Sequence, residues 1–267
     1  MKQQTMIGFS GGGGPKNNAP VRFLALLSKA SSKQFLSPKA SFTLAEVLTT
    51  LGIIGILAAM TLPSLISRNQ NKALETALKK NYSVIQQAFE MYQAEHGERL
   101  THQILYNGGS YLKFKDIIMP YFNVLRDCGI GAQIDKACIP YSGNGTMDNE
   151  RNFKKYRTYS GNSIKRLSLF DDGQFVLMDG SLILIEYSTS LMTVDVNGYL
   201  KNPNRWGHDL FTFQLMNDGR ILPMGAPDTQ YADKSRYCST TSTEQFNGIA
   251  CTYYALTDKS YFNNLPR

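Results

Sequence analysis

Acidic residues are absent from the first 41 positions of this chain, and catalytic motifs are absent throughout. There is no Cys-x-x-Cys pair, which removes zinc-ribbon and thioredoxin-like classes. None of the three histidines, His96, His102 and His208, stands in a His-Glu-x-x-His helix. No serine occupies the strand-to-helix elbow of a hydrolase. The one pair of adjacent acids in "FDDG", Asp171 and Asp172, falls in a turn where such side chains cap the backbone. "SGGGGPK" has neither the Gly-Lys-Ser/Thr nor the preceding apolar strand of a phosphate loop. No catalytic constellation remains, so an enzyme is not the class expected.

What the chain does have is positive charge, 42% apolar residues and length enough for one sizeable domain with extensions. The net charge of +7 points at first to nucleic acid or an anionic membrane. Its location argues otherwise. Six of the 28 basic residues (Lys2, Lys16, Arg22, Lys29, Lys33, Lys39) lie in the acid-free first 41, leaving 22 against 21 acids in the remainder. The basic clusters at Lys79-Lys80 and in "NFKKYR" (152–157) fit solvated faces, and nucleic acid is not the partner expected.

From Phe42 to Leu62 the chain reads "FTLAEVLTTLGIIGILAAMTL", 21 residues with Glu46 as the only charge. As a helix this is about 32 Å long, the hydrocarbon thickness of a bilayer. A buried helix in a soluble core is the alternative, and it seldom runs this long without polar interruption. Basic residues before the segment, balanced by acids after it, predict a cytoplasmic N-terminus and a translocated C-terminal portion. The four cysteines all follow the segment. Three pairings are open, of which Cys128 with Cys138 and Cys238 with Cys251 are the most local; free thiols in a reducing compartment are the alternative.

Pro63 is predicted to end or kink the apolar helix. Beyond it Leu74, Leu78, Ile85, Phe89 and Tyr92 form one apolar stripe, with Gly97 as stop signal, so that 64–97 reads as an amphipathic helix continuing into a globular domain. Residues 98–165 read as an αβ-loop region holding the first cysteine pair. Residues 166–226 read as an antiparallel sheet of four or five strands, with a hairpin at Asn217-Asp218-Gly219. A Tyr-rich loop region with the second cysteine pair occupies 227–267. The fold class predicted is α+β: a long kinked N-terminal helix, membrane-spanning in its first half, packed on an antiparallel sheet.

At "SFTLAEVL" the sequence resembles the cleavage and methylation signal of type IV prepilins and of type II secretion pseudopilins: a basic leader, then Phe-Thr-Leu-x-Glu opening an apolar helix. The resemblance implies a leader of residues 1–41, a cut between Ser41 and Phe42 by a prepilin peptidase, and N-methylation of Phe42. Glu46 becomes the fifth mature residue and Pro63 the twenty-second, where the family often carries a helix-kinking proline. The family usually has Gly where this chain has Ser41, and a 41-residue leader is long.

The resemblance also gives Glu46 a purpose. A carboxylate in an apolar span costs about 2.5–3.5 kcal/mol on insertion scales, a cost offset if it meets the N-terminal amine of its own or a neighbouring subunit. Snorkelling to the interface is the plainer alternative. Gly52 and Gly55, three apart, permit close helix packing or are ordinary membrane-helix glycines. The function implied is that of a structural subunit, a minor pilin or pseudopilin, waiting in the inner membrane with its C-terminal domain outside and then packing with other subunits into a filament. A single-pass anchored binding protein or adhesin that never polymerises is the alternative.

Some pseudopilins carry calcium near their sheet, and "DVNGYLKNPNRWGHD" offers oxygen ligands at Asp195, Asn197 and Asp209. The spacing does not fit an EF-hand, and a plain Asn-Gly turn competes. No other cofactor is expected.

Overall fold

A computed structural model describes residues 42–107, 113–129, 138–139, 156–164, 169–170 and 172–266. Contacts divide the chain into two units, Met1–Gly52 and Ile53–Arg267. In the first, the described residues open helix α1. Thr43 and Glu46 form a reciprocal capping box: Glu46 Oε2 accepts from Thr43 N and Oγ1, each at 2.8 Å, and Glu46 N donates to Thr43 Oγ1 at 3.2 Å. This satisfies amides that a helix start leaves orphaned.

Helix α1 is assigned as Leu44–His96, 53 residues, and it runs on through Pro63 rather than ending there. Near the proline, side-chain hydroxyls feed local carbonyls, Thr61 to Leu57 O and Ser64 to Thr61 O, both at 2.9 Å. The helix stops where expected: Gly97 takes φ +76° and its amide reaches Gln93 O at 2.9 Å.

The second unit is α+β. After α1 come α2 (His102–Asn107), α3 (Lys113–Ile118) and β1 (Val124–Asp127). Four longer strands follow, β2 (Gly173–Leu177), β3 (Leu182–Glu186), β4 (Leu191–Asp195) and β5 (Leu210–Leu215), then β6 (Ile221–Pro223) and the short helices α4 (Lys234–Tyr237) and α5 (Cys251–Thr257). The strands form one antiparallel meander in the order β1 to β6. This is one strand more than the expected four or five. The extra one, β1, comes from the stretch read as an αβ-loop region outside the sheet, and its "VLRD" leaves three of four residues exposed, so no alternation betrays it.

One face of the sheet joins the helix. Ile183, Ile185, Met192, Val194, Phe211 and Phe213 share a core with Leu78, Ile85, Phe89 and Tyr92 of α1. Leu74 packs against that core only partly buried. The stripe also contains a residue no hydrophobic count would choose: Asn81 is buried, donating to Ala77 O and accepting from the Ser181 hydroxyl, both at 3.0 Å. Next to it Lys80 Nζ reaches Asp179 Oδ2 at 2.8 Å, so helix and β2–β3 turn are joined by polar bonds at the edge of an apolar contact.

The opposite face is buried as well. Leu182, Leu184, Leu191 and Leu210 belong to a second core built around Trp206, Phe170 and Tyr156. Trp206 is fully buried, its ring 5.5 Å from Phe170 and 6.3 Å from Phe246, and its Nε1 donates to Thr212 Oγ1 at 3.3 Å. Segments after the sheet complete this layer. Gly225 lies so close to the Ala250 carbonyl oxygen that a Cβ there would sit 2.1 Å from it, and its φ is +97°. Disulfides join Cys128 to Cys138 and, between α4 and α5, Cys238 to Cys251.

Candidate functional site

Two places concentrate unusual chemistry. The first is the start of α1. An apolar window long enough to span a membrane is wholly unburied. Leu48, Ile54, Leu57 and Met60 are each more than half exposed, and around Gly52 and Gly55 an added Cβ would meet nothing within 4 Å. An apolar surface with no cover of its own calls for lipid or another protein. Phe42 is exposed at its head, and Ser41 lies outside the described residues. Glu46 has a local partner in Thr43, which the sequence already offers as Thr-x-x-Glu; its Oε1 accepts from none of the described residues.

The second is the loop from β4 to β5. Its base is closed by Val196 N donating to Asp209 O at 2.9 Å. Asp195 and Asp209, at its two ends, are both buried. Asp195 Oδ2 accepts the Tyr156 hydroxyl at 2.6 Å, and Oδ1 accepts Gly198 N at 2.9 Å and Asn197 N at 3.4 Å. Asp209 takes the amides of Arg205 and Asn204, one on each oxygen, both at 2.7 Å. Burial pushes both carboxyls above the usual carboxylate range, and the charge of Asp209 pushes Asp195 further; the donated hydrogen bonds pull in the other direction.

Asn197 and Asn204 face the complementary problem. Their side-chain NH2 groups are used, Asn197 to Asn202 O at 3.0 Å and Asn204 to Tyr199 O at 3.1 Å. Their buried Oδ1 atoms accept from none of the described residues. Two buried acids and two orphaned amide oxygens lie in this one loop, oxygen donors of the type a hard divalent cation takes. The three residues singled out from sequence are thus on one loop; Asn204 and Tyr156 were missed. Asn204 stands in the same quoted segment, but only its backbone at φ +50° and its burial distinguish it from an ordinary turn asparagine. Among the described residues no cluster of three or more His, Cys, Asp or Glu is placed to hold a metal.

Compared with family models, with curated proteins and with solved structures, the chain matches none.

Proposed function

We propose that this chain is a pilin-like structural subunit, a minor pilin or pseudopilin. It is held in the inner membrane by the first half of α1 with its domain outside, cut at Ser41/Phe42 by a prepilin peptidase, and assembled with other subunits through that helix. The observation that carries this is a long helix divided by use: its second half supplies a domain core, while its first half is apolar, uncovered and headed by one carboxylate. A mere anchor needs the apolar length and draws from the carboxylate no more than the helix cap with Thr43. Mass spectrometry of the protein from its native membrane is the test. A chain beginning at N-methyl-Phe42 is expected; an intact leader would leave the anchored binding protein or adhesin as the better account.

The orphaned oxygens of Asn197 and Asn204 favour a second element of function. Asp195, Asn197, Asn204 and Asp209 would hold a calcium ion, which would neutralise two buried carboxylates and satisfy both amide oxygens. Calorimetric titration of the detergent-solubilised protein with calcium is expected to give a one-site isotherm. At a hundred times the dissociation constant the ion would add about 2.7 kcal/mol to folding stability. No heat between micromolar and millimolar calcium overturns this element and leaves the subunit assignment untouched.

A further inference from the structure

Just past the apolar run, α1 and the end of the chain enclose a cleft of about 840 Å³. Ser64, Ser67 and Arg68 line it from the helix, His208 lines it from the β4–β5 loop, and Met60 and Leu265 contribute apolar wall. Asn71 Nδ2 donates to Phe262 O at 2.9 Å and so holds the C-terminal segment against the helix. None of the described residues lining the cleft is acidic.

Two polar groups of its lining lack partners among the described residues. Arg68 is the first charged residue after Glu46, and its guanidinium makes no ion pair or hydrogen bond with any described residue. His208 is only 7% exposed, and its buried Nε2 has no partner among the described residues. Behind them a second guanidinium, Arg205, donates to Pro266 O at 3.3 Å, adding positive charge to the same wall. An unpartnered guanidinium over a hydroxyl-lined space whose described walls carry no acid suits a phosphate group, which offers several acceptor oxygens.

The place in the chain says where such a phosphate comes from. Counted from Leu62, Ser64 lies about 3 Å and Arg68 about 9 Å further along a helix. The headgroup layer of a bilayer begins at the same boundary and extends about 5–8 Å beyond the hydrocarbon on each side, within reach of an arginine side chain. We propose that this cleft binds the phosphate headgroup of an anionic phospholipid. Arg68 contacts the phosphate, the serine hydroxyls the glycerol, and Met60 and Leu265 the first methylenes of an acyl chain, with the His208 ring in the wall. This rests on the membrane-anchored part of the proposed function and does not depend on filament assembly.

Native mass spectrometry of the full chain in detergent, titrated with phosphatidylglycerol, phosphatidylcholine or glycerol phosphate, tests it. One phosphatidylglycerol per chain is expected, retained at least about tenfold more tightly than phosphatidylcholine, whose choline cation meets the like charges of Arg68 and Arg205, and than glycerol phosphate, which lacks acyl chains for the apolar wall. Arg68→Gln, and independently Ser67→Glu, are each expected to abolish that preference. Both positions are exposed on the helix, so neither threatens the fold. Equal retention of the two lipids, or a preference that survives both substitutions, overturns the proposal. Glycerol phosphate bound as tightly as the lipid would make the ligand a soluble phosphate and likewise overturn it. Fractionation keeps the two levels apart: a chain recovered outside the membrane fails the anchoring itself, whereas a membrane-integrated chain without lipid preference fails this inference alone.

Discussion

Replacing Glu46 by Ala is expected to leave membrane insertion intact, or improve it, while reducing incorporation into filaments at least about tenfold. Removing a carboxylate from an apolar span relieves about 2.5–3.5 kcal/mol of insertion cost. If the carboxylate meets an amine of a neighbouring subunit, its loss leaves that amine unpaired in lipid, a change of about 3–5 kcal/mol for a buried pair. The capping box supplies the control. Glutamine also serves at the third helical position, so Glu46→Gln preserves the bonds to Thr43 that start α1 and removes only the charge. Immunoblotting of sheared filaments against membrane pools separates the roles. If Gln assembles like wild type and Ala does not, the residue is a helix cap; if both assemble normally, it has no part in register; if both fail, the charge is what matters.

Trp206→Ala is expected to cost the α+β domain about 3–5 kcal/mol, the range for truncating a fully buried aromatic. For a domain of this size that lowers the unfolding midpoint by roughly 6–20 °C. The loss exceeds that of a surface truncation because the indole touches Phe170 and Phe246 and bonds Thr212 within the second core. Thermal melting followed by circular dichroism checks it. Met178→Ala, on an exposed turn, is the comparison and is expected to stay within about 0.5 kcal/mol of wild type. Equal midpoints for the two variants would mean that the second face of the sheet is not packed as described.

Long periodic segments of this fold were legible in the sequence. The stripe from Leu78 to Tyr92 announces a core-facing helix at its own spacing, and Gly97 marks its end. The Asn217-Asp218-Gly219 hairpin is written in turn chemistry, since Gly219 takes φ +78°. Less was legible where burial comes from partners distant in sequence. β3 is apolar at four of its five positions, compatible with a sheet covered on one face or both, and only the layer that Phe170, Trp206 and Ile249 build on its second face decides which. Asn81 reads as polar until its bond to Ser181 is seen. In the β4–β5 loop Asp195, Asn197 and Asp209 were visible as oxygen donors, but burial and an orphaned carbonyl oxygen are three-dimensional facts, which is why Asn204 went unnoticed. Glu46 is the reverse case: its cap with Thr43 could be read at once from Thr-x-x-Glu, but its apolar setting drew attention first.

The close seat of Gly225 against Ala250, and the Cys238–Cys251 bond nearby, also carry a consequence for the order of events. Synthesis runs from the N-terminus, and domains form as their parts emerge. Both faces of the sheet wait for residues after β6: the face on α1 takes Ala250, Cys251, Ala255 and Phe262 into its core, and the opposite face takes Phe246 and Ile249. A nascent domain therefore passes through a stage in which α1 and all six strands exist while both apolar faces are still incompletely covered, and the Cys238–Cys251 bond staples the segment that serves both.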